Sequence, residues 1–470
     1  QWYRVTGDRQ ALEVVCRAAD CLYDYFILGK RTFASQNWGE CNFAASHMFA
    51  LLYEQTRDPR YLQAAEYIVR TEWTLPYHDF YTNSTLSCNW LESSLAGTPF
   101  CYSVQKRWES LYTLTTLAVL YRVTGNRDYA DAMESLWWGI VSHARHNTGS
   151  FGTGEGATGD IYGAGSETCN TVAWMTFSTE YLKLSKNSYV ADELELSYFN
   201  ATLGSQLGDK EFVYMNSSDG QRVSSQIELA PHSYEGGREM NCCQASGNRG
   251  LSQFTQWGVL NDDRDIYLNY YGQSNVRTLT PKGHPIGIVQ QTDYPKSGSV
   301  RITLDPGRAE RFGLNLRIPV WSSRASVKVN GVPCSGVTPG HYYRLERKWR
   351  SGDVVELDLD MRVHYWVGDG NMAGRTSVYY GPVLLSVAKP SEEAVKYRFT
   401  PESFDALAFD ERPGHWFYAR VATADGHTVA VEDYAAKPAN TPYTTWLNVD
   451  TGLTPVVFSR DTIPVWSNRP

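Results

Sequence analysis

The first half of the chain repeats a short sequence that ends one helix and begins the next. The sequence YRVTGDR at 3–9 matches YRVTGNR at 121–127, and weaker copies are YEQTRD at 53–58 and YLKLSKN at 181–187. The Gly or Asn supplies the left-handed turn, and the next Asp or Asn can cap the following helix. Recurrence at intervals of about 50–70 residues predicts an array of helical hairpins, either an open solenoid or a closed α/α toroid.

Apolar residues recur at helical spacing after two of these turns. They are Leu12, Val15, Ala19, Leu22 and Phe26 after the first turn, and Tyr129, Met133, Leu136, Trp137 and Ile140 after the third. This spacing is that of an α-helix and places each set on one face of it. The chain opens inside the end of a helix, so we expect its N-terminus to have been cut.

The hydrophobic period changes from helical to strand-like near residue 264. Apolar and polar residues alternate around 300–304 and 314–318, and Asn330-Gly331 is a strong hairpin signal. These patterns predict a helical domain over 1–263 and an antiparallel β-sandwich over 264–390. The stretch 391–470 has further strands near 417–421 and 428–431, and it completes or extends the sandwich.

Composition excludes several classes of partner. The net charge is −8 with no basic stripe, which argues against nucleic acid. No run of apolar residues is long enough to span a membrane. The sequons at Asn83, Asn200 and Asn216 are weak support for an extracytoplasmic or secreted location, because such triplets also arise by chance. The sequence does not set the oligomeric state.

Two adjacent cysteines, Cys242 and Cys243, are the strongest chemical signal. Glu167 and Cys169 lie upstream, so two short clusters supply three thiols and a carboxylate. These are the ligand types and number of a tetrahedral Zn²⁺ site. Neighbouring cysteines rarely bond to each other, so the pair indicates a metal or a reactive thiolate. A purely structural zinc site is the alternative. Ordinary buried thiols are predicted at Cys16, Cys21, Cys88, Cys101 and Cys334.

Together these motifs resemble those of glycoside hydrolase family 127, the β-L-arabinofuranosidase-like family. The resemblance rests on the Glu-x-Cys and Cys-Cys motifs with Arg249 behind them, and on VAW at 172–174, DKEFVYMN at 209–216, LNLRIPVW at 314–321 and VYYGP at 378–382. It implies an (α/α)₆ toroid, N-terminally incomplete here, followed by β-sandwich domains.

The resemblance also implies chemical roles. The first cysteine of the pair resembles the family's nucleophile, which makes Cys242 the candidate, with Zn²⁺ held by Glu167, Cys169, Cys242 and Cys243. A free thiol is mostly protonated at neutral pH, and Zn²⁺ coordination removes that proton. The family's acid/base glutamate follows a Thr-Gly turn, and TGSFGTGE at 148–155 places it at Glu155. Asp160 is the nearest rival, and the stretch from Glu155 to Glu167 is shorter than usual.

Substrate contacts are implied at further positions. His47 matches a family Gly-His step that contacts sugar hydroxyls, although a core histidine is the alternative. Tyr102 stands where a second such step has histidine, and QASG at 244–247 stands where Pro-Pro-Asn often follows the cysteine pair. Both departures predict a substrate that differs from those of the best-known members. Tyr214, His232 and Arg249 complete the predicted substrate-binding set.

The favoured function is therefore a retaining, exo-acting glycoside hydrolase with a zinc-bound cysteine nucleophile, acting on an oligosaccharide or glycan of plant type. Two alternatives remain. A toroid-fold polysaccharide lyase requires a Tyr or His base with Arg or Asn to neutralise a uronate, and it does not require the cysteine cluster. A carbohydrate-binding scaffold requires only a structural zinc.

Overall fold

The computed structural model describes residues 2–36, 39–79, 83–103, 108–152, 154, 159, 161–162, 165–208, 211–222, 242–389, 397–405 and 407–461. Contacts divide the chain into two compact units. The first contains residues 1–144 with 155–159, and the second contains 145–154 with 160–470. Among the described helices, none is both long enough and apolar enough to cross a bilayer.

The first unit is mainly helical. Its helices are α1 (Trp2–Thr6), α2 (Arg9–Leu22, continued by a π-helical turn Tyr23–Leu28), α3 (Gly39–Asn42), α4 (Ala45–Thr56), α5 (Pro59–Arg70), α6 (Trp90–Leu95), α7 (Trp108–Leu114), α8 (Thr116–Thr124) and α9 (Arg127–His143). Two short strands, β1 (Tyr77–Asp79) and β2 (Ser84–Leu86), pair antiparallel. The packed pairs include α4 with α5, and α8 with α9.

The four repeated turns share one hydrogen-bonding scheme. A residue with positive φ ends each helix, and these residues are Gly7, Arg57, Gly125 and Lys186. The next side chain then caps the following helix by accepting from its backbone N–H groups, and the caps are Asp8, Asp58, Asn126 and Asn187. The predicted caps are confirmed. The prediction that Gly or Asn supplies the left-handed residue holds at Gly7 and Gly125, whereas Arg57 and Lys186 take that position in the other two turns.

The predicted apolar faces differ in how completely they are covered. All five predicted residues of α9 are at most 1% exposed. In α2, by contrast, Val15 is 40% exposed and Ala19 is the one buried helix residue. The predicted helix is observed, and the described residues cover its apolar face only in part.

The second unit begins with the helices and short strands that carry the cysteine cluster. These are β3 (Ser166–Glu167), α10 (Thr168–Ser185), α11 (Ser188–Leu196), β4 (Gln206–Leu207), β5 (Glu211–Phe212), β6 (Met215–Asn216), β7 (Asp219–Gly220), α12 (Cys242–Ser252) and α13 (Phe254–Trp257). A π-helical turn, Ser197–Thr202, extends α11. Helix α10 is buried on nearly all sides and packs against both α11 and α12.

A β-rich region follows, as the sequence predicts. Its strands are β8 (Val259–Asn261), β9 (Asp265–Leu268), β10 (Ser274–Leu279), β11 (Pro285–Gln291), β12 (Ser299–Pro306), β13 (Glu310–Arg317), β14 (Ala325–Val329), β15 (Val332–Cys334), β16 (Tyr342–Trp349), β17 (Asp353–Leu359), β18 (Val363–Val367), β19 (Thr376–Tyr380), β20 (Val383–Ala388), β21 (Arg398–Phe399), β22 (Tyr418–Ala422), β23 (Thr428–Asp433), β24 (Tyr443–Thr444) and β25 (Asn448–Val449). A short helix, α14 (Glu402–Asp405), lies between β21 and β22.

Two sheets are built from β8 to β17. Within the described chain, one has the strand order β10-β11-β12-β17-β14-β15 and the other has the order β16-β13-β9-β8. The Asn330-Gly331 turn joins β14 to β15 with positive φ at both residues, as a hairpin of this kind requires. The expectation of a wholly antiparallel arrangement is wrong at two pairs of strands, of which β21 with β25 is one. Strands β9 and β13 pair in parallel, which the long connection through β10–β12 permits.

A third sheet has the order β18-β19-β20-β23-β22, and β24 pairs with β20. Its strands lie on both sides of residue 390, so the predicted boundary at that residue separates strands of one sheet. Strand β7, which precedes the cysteine pair, adds to the same sheet through β24. Val378, Leu385 and Val431 of this sheet belong to a core of buried apolar residues.

Candidate metal and catalytic site

Two helix N-termini bring the predicted metal ligands together. Glu167 ends β3 and precedes α10, and Cys169 lies in the first turn of α10. Cys242 and Cys243 open α12, which packs against α10. The N-terminus of a helix carries a partial positive charge, which favours a thiolate or carboxylate there. The sequence therefore places its anionic ligands where the backbone stabilises them.

The four ligand atoms lie within 4.8 Å of one another. Cys243 Sγ is 3.6 Å from Cys169 Sγ and 3.9 Å from Cys242 Sγ. Glu167 Oε1 is 3.3 Å from Cys242 Sγ and 3.6 Å from Cys243 Sγ. Among the described residues, no other group of His, Cys, Asp or Glu side chains is arranged to hold a metal ion.

These separations match those of a tetrahedral zinc centre. Zn–S bonds of about 2.3 Å and Zn–O bonds of about 2.0–2.2 Å at tetrahedral angles place sulfurs about 3.8 Å apart, and sulfur and oxygen about 3.5 Å apart. The observed distances lie close to both values. The donor set of three thiols and one carboxylate therefore fits Zn²⁺ in type, number and spacing.

Exposure separates one ligand from the others. Cys169 and Cys243 are completely buried and Glu167 is 2% exposed, whereas Cys242 is partly exposed. A metal site with a purely structural role does not need a solvent-exposed ligand. The arrangement leaves one thiol that a molecule from solvent can reach.

The three thiols also differ in acidity. Hydrogen bonding with Cys169 and Cys243 lowers the pKa of Cys242 below the usual range of a thiol. Hydrogen bonding with Cys242 raises the pKa of Cys169, and hydrogen bonding with Cys169 raises the pKa of Cys243. The neighbouring thiols act as donors, so the negative charge is favoured on the exposed Cys242 sulfur.

Residues beside the predicted ligands hold the two helix ends. The carbonyl of Tyr214 accepts a hydrogen bond from the Thr168 N–H at 2.9 Å and lies 3.8 Å from Cys243 Sγ. Tyr214 as a whole is only 4% exposed, so it belongs to the buried surroundings of the cluster. Arg249 lies farther along α12, is half-buried, and donates to Ser246 Oγ at 3.4 Å.

The candidate acid Glu155 lies outside the described residues, as do Asp160 and His232. The residue before Glu155 is described and is firmly held. The Gly154 carbonyl accepts from the Glu167 N–H at 2.9 Å and from Asn170 Nδ2 at 3.2 Å, and the Gly154 N–H donates to the Gly165 carbonyl at 2.8 Å. The sequence alone did not identify Asn170 as part of the site, because its hydrogen-bond partner Gly154 lies in another segment of the chain.

The remaining predicted contacts lie in the first unit. His47 is half-buried on α4. Tyr102 is 64% exposed, and its ring lies against Gly159 and at 5.8 Å, edge to face, from the ring of His143. Of the cysteines predicted to be ordinary buried thiols, Cys88 and Cys101 are buried, but Cys21 is exposed.

A separate cleft of about 590 Å³ lies in the second unit, between 409–417 and Lys296. Its lining includes Phe409, His415 and Trp416 but none of the predicted site residues. It contains no thiol, so the nucleophilic chemistry predicted from the cysteines belongs to the metal cluster and not to this cleft.

Comparison with known proteins agrees with these observations. A family model described as the GH127 catalytic domain of β-L-arabinofuranosidase matches residues 1–256, and the GH127 middle-domain model matches 265–361. The chain is 27% identical over 429 residues to a non-reducing end β-L-arabinofuranosidase of Bifidobacterium longum subsp. longum. That match covers 82% of this chain and 62% of the relative, so the chain spans about three-fifths of the relative's length.

Solved structures share the fold. A protein described as a glycoside hydrolase superimposes with a TM-score of 0.75 at 20% identity, over 95% of this chain and 81% of its own. A GH127 β-L-arabinofuranosidase from Geobacillus stearothermophilus T6 gives a TM-score of 0.72 at 21% identity, over 96% of this chain and 78% of its own.

Proposed function

Because the chain belongs to glycoside hydrolase family 127, we propose that it is a retaining, exo-acting glycoside hydrolase that releases L-arabinofuranose or a related sugar from plant-type glycans. The name of the Bifidobacterium relative supports a non-reducing end furanoside as substrate. Family membership favours hydrolysis over the elimination chemistry of a lyase. The helical hairpins of the first half belong to an (α/α)₆ toroid in this proposal.

One observation carries the proposal. The four predicted ligand atoms stand at the spacing of a tetrahedral zinc site, and the partly exposed ligand is Cys242, the predicted nucleophile. A structural role alone gives no reason for one thiol to face outward while its partners are buried. A reactive role does, because the nucleophile must reach the substrate.

In the first step, the Cys242 sulfur attacks the anomeric carbon as the bond from that carbon to the leaving oxygen breaks. A carboxylic acid, assigned to Glu155, donates its proton to the leaving oxygen. The sugar is then held by a carbon–sulfur bond to Cys242. When bound, Zn²⁺ keeps the coordinated thiols deprotonated at neutral pH, so that a thiolate is present before the substrate arrives.

In the second step, the Glu155 carboxylate takes a proton from water, and the water oxygen attacks the same carbon as the carbon–sulfur bond breaks. Two displacements at one carbon retain its configuration. Glu155 ends protonated again, by a proton from water that replaces the one lost to the leaving group, and Cys242 ends as a thiolate. Atoms and charges therefore balance over the cycle.

The backbone around residue 154 supports Glu155 over Asp160 as the acid. Gly154 is hydrogen-bonded to the backbone of the predicted metal ligand Glu167. Glu155 therefore follows a residue that is fixed next to the metal ligands. No such link is described for the neighbours of Asp160.

Sugar recognition is assigned to the predicted set His47, Tyr102, Tyr214, His232 and Arg249. Tyr102 is exposed, and His47 is half-buried on α4. Tyr214 belongs to this set by its position beside the cluster, where its carbonyl lies 3.8 Å from Cys243 Sγ.

A panel of aryl furanosides and plant oligosaccharides tests the proposal directly. The expected result is cleavage of an aryl β-L-arabinofuranoside, with the first-formed sugar in the β configuration by proton NMR. Release of the α anomer first would contradict the double displacement. Cleavage of uronate-containing polymers with formation of an unsaturated product would favour the lyase.

A further inference from the structure

The side chain of Gln244 pairs with the backbone of a residue that is distant in sequence, Phe212. Gln244 Nε2 donates to the Phe212 carbonyl, and Gln244 Oε1 accepts from the Phe212 N–H, both at 3.0 Å. Gln244 lies in the first turn of α12, directly after Cys243. Two bonds from one planar amide fix both the position and the orientation of their partner.

The ring of Phe212 makes a second contact with the same helix. A Cβ atom on Gly247 would lie 2.2 Å from Phe212 Cδ1, so the ring packs directly on the helix backbone. Helix residues three apart lie on one face. Gln244 and Gly247 therefore hold Phe212 from the same side of α12.

The residues after Phe212 reach the other helix end of the site. The Val213 carbonyl accepts from Thr168 Oγ1 at 2.8 Å, and the Tyr214 carbonyl accepts from the Thr168 N–H at 2.9 Å. Thr168 stands between the ligands Glu167 and Cys169. The segment 212–214 therefore connects the first turn of α12 to the first turn of α10.

We infer that Gln244 is a positioning residue, which sets the separation of the Cys242–Cys243 turn from the Glu167–Cys169 turn through the segment 212–214. It acts by way of the Phe212 backbone. The inference deepens the proposed function and rests on it for any effect on turnover, whereas its effect on metal binding requires no substrate. Outer residues that orient metal ligands affect metal affinity in this way.

The test compares the zinc affinity of purified variants by competition with a chromophoric chelator. Gln244→Met keeps the length and helix propensity of the side chain but removes both bonds to Phe212. Its zinc affinity is expected to fall about 10–100-fold, with a loss of kcat that exceeds any change in KM. Gln244→Glu retains an acceptor for the Phe212 N–H and loses the donor, so its affinity is expected to lie between those of Gln244→Met and wild type.

Asn248→Ala is the matched control. Asn248 is exposed one turn farther along α12, where its Nδ2 donates to the Gln244 carbonyl at 3.2 Å. This variant also loses an amide from the helix, and it is expected to keep wild-type zinc affinity.

Wild-type zinc affinity in folded Gln244→Met would overturn the inference. If Gln244→Met does not fold, the same comparison with Gln244→Glu decides, and an unchanged affinity there would also overturn it. A wild-type protein that binds zinc and cleaves no furanoside would refute the proposed function and leave the inference standing. A wild-type protein that binds no zinc would refute both.

Discussion

The carbonyl of Gly154 accepts a hydrogen bond from the N–H of Glu167 at 2.9 Å. This bond joins the residue before the candidate acid to the backbone of a metal ligand. Asn170, which follows Cys169 on α10, donates to the same carbonyl. The two bonds connect the backbone before the candidate acid to the start of α10, which carries the predicted ligand Cys169.

Gly154 itself provides a test of that connection. Its φ is +60°, and a Cβ atom there would meet no atom within 4 Å, so the cost of substitution is conformational and not steric. Asn adopts left-handed conformations far more readily than β-branched Val. We expect Gly154→Val to lose much of kcat while it keeps its zinc, and Gly154→Asn to lose less. Equal activities of the two variants by steady-state kinetics would contradict the importance of this conformation.

Metal analysis addresses the ligand set. Purified protein is expected to contain about one zinc per chain, because a tetrahedral site of this type binds one ion. Glu167→Ala removes the carboxylate and should lower the zinc content, while Cys334→Ser, which changes a thiol outside the cluster, should leave it unchanged. Metal-free protein with Cys169, Cys242 and Cys243 in disulfides would refute the site.

Substitution of Cys242 tests the nucleophile. Cys242→Ser and Cys242→Ala are expected to abolish turnover while the circular dichroism spectrum stays that of wild type, because the side chain is partly exposed and small. Zinc content should be measured in parallel, since both changes also remove a ligand. Wild-type kcat in either variant would exclude the thiolate mechanism.

A buried histidine in the second unit predicts how stability depends on pH. His364 is 1% exposed, its Nε2 donates to the Gly381 carbonyl at 2.7 Å, and its ring stacks on that of Tyr379. Burial lowers the pKa of His364 to about 4. Its unfolded pKa is higher, so the unfolded chain binds the proton first. The stability contributed by neutral His364 is therefore complete above pH 6.5 and is lost as pH falls toward 4.

The loss from His364 between pH 7 and pH 5 is about 2 kcal/mol for a group of this pKa. Urea unfolding at both pH values measures it. His364→Gln removes the titration, so the difference between wild type and variant isolates this residue from all other ionisable groups. An identical change of unfolding free energy with pH in both proteins would contradict the prediction.

The sequence predicted the features that depend on neighbouring residues. The predicted ligands could be identified because Glu167 and Cys169, and likewise Cys242 and Cys243, are neighbours in sequence. The helix caps could be identified because a cap acts on the next few N–H groups of its own segment. The left-handed conformations of Arg57 and Lys186 could not, because the surrounding turn imposes them against residue preference.

Features that depend on distant partners were not predictable in this way. The parallel pairing of β9 with β13 joins segments separated by three strands. Gln244 was interpreted as a sign of altered substrate, whereas its amide pairs with Phe212, which no local pattern identifies. The same limit applies to Asn170, whose bond to Gly154 crosses between two segments.

The acid/base assignment has the most specific kinetic consequence. If Glu155 protonates the leaving oxygen, Glu155→Gln should slow glycosides with poor leaving groups by about 10²–10⁴-fold. Aryl glycosides with acidic phenols require less protonation, so their first step should suffer less. The second step still requires the base, so a glycosyl adduct on Cys242 should accumulate and be detected by intact mass. Asp160→Asn is the control, because Asp160 is the rival carboxylate, and it should retain wild-type kinetics. Equal losses on good and poor leaving groups, with no adduct, would show that Glu155 acts in another way.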